Sequence, residues 1–143
     1  MSRPLEYAMS ARRLDASGSL ASAKSAEVRL DTSMAGREDA LNPAELLLAS
    51  LAACMIKGVE RIAPMLKFQF DGVELRAVRQ DSPPALVSID YTITVDTNEP
   101  DRRLDLLHTN IRRYGTISNT LAAALDLKGE IRRKQSSPEG APQ

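Results

Sequence analysis

The longest apolar stretch of this 143-residue chain runs from Asn42 to Pro64. At its start Asn42 and Glu45 form a capping-box pattern, and Pro43 occupies a first-turn position at which no N–H is needed. The eight residues that follow Glu45 carry no charge. Because proline disfavours helix in the residue before it, Pro64 is expected to end the helix. The pattern predicts a central helix that is buried on most sides.

Strict alternation of apolar and polar positions predicts strands before and after this helix. Turn signals separate the strands of each pair, one over residues 15–18 and one over the rigid 82–84 stretch. The first pair is expected to form an antiparallel hairpin or meander. The first pair comprises residues 5–14 and 19–32, with the alternation at the end of the second segment, over 27–32, and the second pair comprises 73–79 and 86–96.

Two further helices and a last strand complete the pattern. Residues 100–113 place apolar side chains three and four apart, which predicts a helix with Pro100 in its first turn. Residues 117–125 predict a third helix, and residues 127–133 a short strand. The order of strands, helix, strands, two helices and strand is typical of an α+β fold. We expect one domain over residues 1–133 and a disordered Pro/Gly-rich tail over residues 134–143.

Composition narrows the class of function. Nineteen basic and nineteen acidic residues leave no net charge, so no basic excess is available to bind nucleic acid. A single cysteine cannot form an intrachain disulfide, and a single histidine argues against a multi-ligand metal site. We expect neither a metal nor another cofactor. The N-terminus lacks the apolar core of a signal peptide, and the central helix is too short to span a bilayer. These features favour a cytoplasmic protein without a membrane partner. An aromatic share of 3% implies a thin aliphatic core, which favours an oligomer.

The central helix contains the only cysteine, Cys54. At about 100° per residue, Lys57, Gly58 and Arg61 lie on roughly the same helix face. Two cations near a thiol favour the reactive thiolate, and Gly58 leaves space for another backbone or a small substrate. The alternative is an inert cysteine in a buried helix, with Lys57 and Arg61 at its solvated end.

Two other features allow both a functional and a structural interpretation. His108 lies on the apolar stripe of the second helix, where a partly buried imidazole bonded to backbone or to Asn110 is favoured over a base for the thiol. The segment 114–120 is rich in hydrogen-bonding side chains. It lines a pocket, or it is a helix break and restart with Thr116 or Ser118 as the N-cap.

The segment NPAELLLASLAAC, residues 42–54, resembles the helix of the OsmC/Ohr proteins, in which an Asn-Pro-x-Glu-Leu start leads to a reactive cysteine. The following KGVERIAP, the strands at 73–79 and 86–96, and GTISNTLA are also similar to that family. The resemblance covers about residues 7–133. It implies an OsmC-like fold in which antiparallel sheets wrap around a central helix in an intertwined homodimer.

The resemblance also implies a thiol-dependent peroxidase that acts on organic hydroperoxides, with Cys54 as the reactive cysteine. An Arg and a Glu assist the thiol in the family. The family position for Glu aligns with Ala44 here, so the adjacent Glu45 is the candidate. The Arg comes from a variable upstream region, where Arg12, Arg13 and Arg37 are candidates that the sequence does not separate.

The family's second cysteine aligns near Gly115, and this chain has none there. A sulfenic acid on Cys54 would then be captured by a small thiol, by an external protein thiol or by the partner subunit's Cys54. The first hypothesis is therefore a one-cysteine reductase of organic hydroperoxides in oxidative or osmotic stress defence. The second is a non-peroxidatic protein that binds a small apolar or thiol-bearing ligand in the dimer-interface cleft.

Overall fold

The computed structural model describes residues 4–66 and 68–135, with side chains omitted over 63–66. The chain divides into two compact units, Met1–Leu47 and Leu48–Gln143. The prediction of one domain over residues 1–133 stays a prediction. In chain order the elements are β1 Ser10–Asp15, β2 Gly18–Ala23, β3 Ala26–Asp31, α1 Pro43–Leu66, β4 Gln69–Asp81, β5 Pro84–Asp96, α2 Asp101–Tyr114, α3 Thr116–Ala122 and β6 Asp126–Arg133.

The first unit is built on an antiparallel three-stranded meander, β1-β2-β3. Its first turn follows the expected chemistry, because Asp15 Oδ1 accepts the backbone N–H groups of Ser17 at 2.8 Å and Gly18 at 3.0 Å. The segment 19–32, expected to be one strand, is two strands joined at Lys24. Lys24 has a φ of 57°, in the left-handed region. Lysine seldom adopts this conformation, so its presence in the sequence did not indicate a turn.

Helix α1 begins as its sequence predicts. The Asn42 N–H donates to Glu45 Oε1 at 3.0 Å, and the Glu45 N–H donates to Asn42 Oδ1 at 2.8 Å. These two bonds complete the capping box. The predicted end at Pro64 is wrong, since the helix runs on to Leu66. The bias against helix before proline is only a preference, and a proline two residues from the helix end removes a single N–H.

The second unit contains the sheet β4-β5-β6, which is mixed rather than wholly antiparallel. Strands β4 and β5 form a long antiparallel hairpin, whereas β6 runs parallel to β5. The parallel pair follows from the crossover through α2 and α3, which returns the chain to the end of the sheet where β5 began. Gly129 pairs with Tyr91, and a Cβ at Gly129 would collide with the Tyr91 carbonyl oxygen. Glycine is therefore required at this point of β6.

The core of the second unit is aliphatic, as the composition predicts. Strand β5 buries every second residue, which confirms the alternation seen in its sequence. Helix α1 adds a stripe of residues four apart, and α2 adds residues three and four apart. The buried side chains of these three elements are Ile89, Tyr91, Ile93, Val95, Leu51, Met55, Val59, Leu104, Leu107 and Ile111.

The end of the chain departs little from the expected pattern. Helices α2 and α3 and strand β6 lie within a few residues of their predicted bounds. The Lys134 N–H donates to the Val95 carbonyl at 2.8 Å, so the sheet pairing extends past β6. Residues 136–143, most of the tail predicted to be disordered, lie outside the described residues. No helix in the described part of the chain is both long and apolar enough to cross a membrane.

Candidate functional site

Cys54 lies on α1, one turn before Gly58, and its side chain is half-buried rather than sealed in the core. Gly58 marks a close approach of α1 and α2. A Cβ added there would lie 3.0 Å from Ile111 Cγ1. The Ile111 Cα lies 3.5 Å from the same point, so the space that the sequence suggested for a backbone or a substrate is taken by the backbone and side chain of α2.

A second close approach brings the sulfur to the junction of α2 and α3. A Cβ added at Gly115 would lie 3.1 Å from Cys54 Sγ, 2.9 Å from Ser118 Oγ and 2.8 Å from the Ile111 carbonyl oxygen. Gly115 has φ −84° and ψ 115°, which any L-residue adopts, so the requirement for glycine is one of space. In a disulfide a Cβ lies about 3 Å from the partner sulfur, because the S–S bond is about 2 Å long. Gly115, near which the resemblance aligns the family's second cysteine, thus lies against the Cys54 sulfur.

Ser118, which the sequence named only as a candidate N-cap or pocket residue, also lies at this junction. Its side chain is 0% exposed, and its Oγ has no hydrogen-bond partner among the described residues. The segment 114–120 is indeed a helix break and restart. The predicted N-cap is wrong, because α3 begins after Gly115 and no side chain of the described residues caps it. The burial of Ser118 depends on how α3 packs, which no local pattern reveals.

The charged residues that share the sequence neighbourhood of Cys54 are solvated. Lys57, Glu60 and Arg61 are exposed, and none of the three forms an ion pair with another described residue. Arg61 folds back along the helix, with Nη2 3.5 Å from the Cβ position of Gly58. The three side chains therefore match the alternative interpretation from the sequence, in which they lie at the solvated end of the helix.

The other predicted site residues belong to the first unit, where two of them have structural partners. Glu45 serves the capping box of α1. Arg37 forms a two-pronged ion pair with Asp39, with Nε–Oδ1 at 2.5 Å and Nη2–Oδ2 at 2.7 Å. This pairing raises the pKa of Arg37 and lowers that of Asp39. Arg12 is exposed on β1 opposite Leu20. Their assistance to Cys54 stays a prediction.

His108 belongs to a separate polar cluster on the second unit. Arg112 Nη1 donates to Tyr91 Oη at 3.1 Å, and Tyr91 Oη shares a second hydrogen bond with His108 Nε2, 2.5 Å away. The expected partners, backbone or Asn110, are wrong; the partner is Tyr91. Burial lowers the pKa of His108, as does Arg112, while Asp105 acts in the opposite direction. His108 is committed to Tyr91 and is not hydrogen-bonded to the thiol.

A surface depression of about 450 Å³ adjoins this cluster. Its lining includes His108, Thr109, Arg112, Arg113 and Asn119. Within residues 4–66 and 68–135, no group of three or more His, Cys, Asp or Glu side chains could hold a metal ion. The chemistry that the site offers is therefore that of one half-buried thiol beside a buried hydroxyl.

Comparison with known proteins places this arrangement in a family. The model of a family described as OsmC-like protein matches residues 36–130, about two thirds of the chain. The chain belongs to the OsmC-like protein family. The match includes the capped start of α1, Cys54 and the junction at Gly115. A search of curated proteins finds no match.

Solved structures confirm the OsmC-like α+β fold. An OsmC-like protein from Mycoplasma pneumoniae has a TM-score of 0.82 at 16% identity, covering 93% of this chain and 100% of that one. The organic hydroperoxide resistance protein OhrB of Bacillus subtilis has a TM-score of 0.63 at 18% identity, covering 90% and 98%. An organic hydroperoxide resistance protein from Elizabethkingia anophelis has a TM-score of 0.69 at 11% identity, covering 92% and 100%. Identities this low establish the fold alone.

Proposed function

We propose that this OsmC-like protein reduces organic hydroperoxides through Cys54 and so serves in defence against oxidative or osmotic stress. The observation that carries the proposal is the half-buried Cys54 thiol, held at a helix junction beside a buried hydroxyl. Two proteins of the same fold, from Bacillus subtilis and Elizabethkingia anophelis, are named as organic hydroperoxide resistance proteins. Their names support the choice of peroxide as substrate.

The first chemical step is nucleophilic attack by the Cys54 thiolate on one peroxide oxygen. The O–O bond breaks, a sulfur–oxygen bond forms, and the leaving alkoxide takes a proton to become an alcohol. The sulfur is oxidised to sulfenic acid and the peroxide is reduced. Partial burial shields the thiol from unselective oxidation while it keeps an approach for a small peroxide.

The second step needs an external reductant, because the chain has no other cysteine. A small-molecule thiol attacks the sulfenic sulfur, water leaves, and a mixed disulfide forms. A second thiol then attacks that disulfide and releases Cys54 as a thiol, with the two reductant sulfurs joined. The protein would thus work as a one-cysteine peroxidase.

Positive charge near the peroxide would assist the leaving oxygen, and Arg12 or Arg37 is proposed to supply it. Arg37 would have to break its ion pair with Asp39 before it could contact the substrate, because Asp39 binds two nitrogen atoms of its guanidinium group. Arg12 is exposed on β1 and has no ion pair within the described part of the chain. Glu45 would act as the carboxylate that orients the arginine, in addition to its capping role.

A homodimer is proposed as the working form. Between its buried positions, α1 presents small apolar residues that a single chain leaves uncovered. Ala49 and Ala53 are exposed, and Ala52 and Ile56 are half-buried. Small side chains let two helices approach closely, so a second copy of α1 is a suitable cover for this face. Light scattering should give twice the chain mass of 15.6 kDa, and a stable monomer would contradict the dimer.

Peroxide consumption by the purified protein tests the activity. With cumene hydroperoxide and dithiothreitol, the wild type should consume peroxide catalytically, and Cys54→Ser should reduce the rate to that of buffer. A dimedone adduct on Cys54, detected by mass spectrometry after one peroxide equivalent, should report the sulfenic acid. Absence of both the turnover and the adduct would overturn the proposal and favour the ligand-binding alternative.

A further inference from the structure

The most unusual group in the second unit is the Ser118 hydroxyl. It is completely buried and has no hydrogen-bond partner among the described residues. A buried polar group without a partner is destabilising, and native proteins keep few of them. An alanine would fill the same place without this cost. The presence of serine at a fully buried position therefore calls for a partner that this state of the protein does not provide.

The geometry indicates which group that partner is. Ser118 Oγ lies 2.9 Å and Cys54 Sγ lies 3.1 Å from one point, the Cβ position of Gly115. The two atoms are therefore at most 6.0 Å apart, and both border the space that residue 115 leaves because it is a glycine. No side-chain atom of residue 115 can intervene. The serine side chain has three staggered torsion states, and the inference requires the one that turns the hydroxyl toward the sulfur.

The strength of a hydrogen bond between the two groups depends on the protonation state of the sulfur. A neutral thiol is a weak acceptor, so it offers the hydroxyl little gain. A thiolate accepts a charge-assisted hydrogen bond, which is roughly twice as strong as a bond between neutral groups. A donor that bonds only the ionised form favours ionisation.

We infer that Ser118 is a positioning residue whose hydroxyl donates a hydrogen bond to the ionised sulfur of Cys54 across the gap left by Gly115. The same hydroxyl then donates to the oxygen of the sulfenic acid after the sulfur is oxidised. Ser118 thereby raises the thiolate fraction at neutral pH. The second role rests on the proposed peroxidase function, whereas the first concerns the thiol alone.

The test measures thiol ionisation without peroxide. In the full-length protein, the rate of Cys54 alkylation by iodoacetamide is followed as a function of pH in the wild type, in Ser118→Ala and in Thr120→Ala. Thr120 is the matched control, since it lies on the same helix, is exposed and donates its hydroxyl to the Thr116 carbonyl at 2.8 Å. Removal of the Ser118 hydroxyl should shift the pH midpoint of alkylation upward by about one unit, a tenfold loss of thiolate at neutral pH. Thr120→Ala should leave the midpoint unchanged.

Thermal unfolding supplies the second readout. Because Ser118→Ala removes a buried group without a partner, the variant should have an unchanged or higher Tm, so a shifted midpoint cannot be assigned to unfolding. An unchanged midpoint in Ser118→Ala would overturn the inference and assign the hydroxyl to a bridging water or to the partner subunit. A shifted midpoint in a protein that consumes no peroxide would retain the ionisation role and reject the peroxidase.

Discussion

The two compact units are stabilised in different ways. Of the fourteen buried apolar side chains in the described part of the chain, only Ala21 belongs to the first unit. That unit relies on polar side chains that bond nearby backbone groups. Asp15 accepts the N–H groups of the first turn, Asp31 accepts those of Ser33 at 3.0 Å and Arg37 at 2.9 Å, and Asn42 begins α1. The second unit instead packs aliphatic side chains between a sheet and helices.

The difference suggests what the first unit lacks. Several of its large apolar side chains are open to water, among them Leu5, Tyr7, Met9 and Met34, each more than 60% exposed. A small sheet that buries no apolar face is marginally stable in water. Local hydrogen bonds can shape such a unit, but they contribute little net free energy. The proposed homodimer would cover these side chains, and Cys54, which carries the proposed thiol chemistry, lies in the unit that already has a core.

The largest expected effect comes from the aliphatic core of the second unit. Leu107 is 0% exposed on α2, whereas the adjacent Leu106 is 57% exposed. Leu107→Ala should lower the free energy of unfolding by about 2–5 kcal/mol, through lost burial and the cavity that remains. Leu106→Ala, the same substitution one position earlier, should change it by less than about 0.5 kcal/mol. Urea denaturation measures both. Equal losses would mean that Leu106 is also covered in the working form of the protein.

A moderate effect is expected where the first unit begins the helix. Asn42→Ala removes the acceptor for the Glu45 N–H and should cost about 1 kcal/mol of stability. The control is Asn98→Ala, because Asn98 is exposed and caps no helix. Urea denaturation should show the loss in the first variant alone. If Asn42→Ala left the free energy of unfolding unchanged, the local hydrogen bonds of the first unit would contribute less to stability than their geometry implies.

The smallest effect is a difference in pH dependence between the two units. The pKa of His108 is lowered by burial and by Arg112, so the unfolded chain binds its proton more readily. The stability that this group contributes is complete above its ordinary value of 6.5 and is lost as pH falls below it. Hydrogen bonds from Ser33 lower the pKa of Asp31, whose contribution is present above 3.8 and lost in stronger acid.

Urea denaturation from pH 8 into the acid range below 3.8 separates the two contributions. The wild type should lose a little stability below about pH 6.5, and His108→Gln should show a flatter profile over this range. Asp31→Asn should leave that part of the profile unchanged and alter the acid limb alone. A wild-type profile that is flat down to pH 5 would contradict the lowered pKa of His108.

Local patterns predicted a large part of the fold and half of the site. The capping box of α1, the alternation in β5 and the helix break near Gly115 are local features, and each is present where expected. Cys54 was identified because it is the single thiol in a helix that resembles a known family. The turn at Lys24 was missed because lysine carries no turn signal. The continuation of α1 past Pro64 was missed because a preference was treated as a boundary.

By itself, the sequence determined the helix that carries the thiol, the α+β order of elements and the OsmC-like family, because each depends on residues close together in the chain. Tertiary structure alone decided the parallel pairing of β6, the Tyr91 partner of His108 and the approach of Cys54 to Gly115. It also decided that Ser118 is buried without a partner. The paired features join residues that are 17 to 61 positions apart, so packing of whole elements, rather than any local pattern, brings them together.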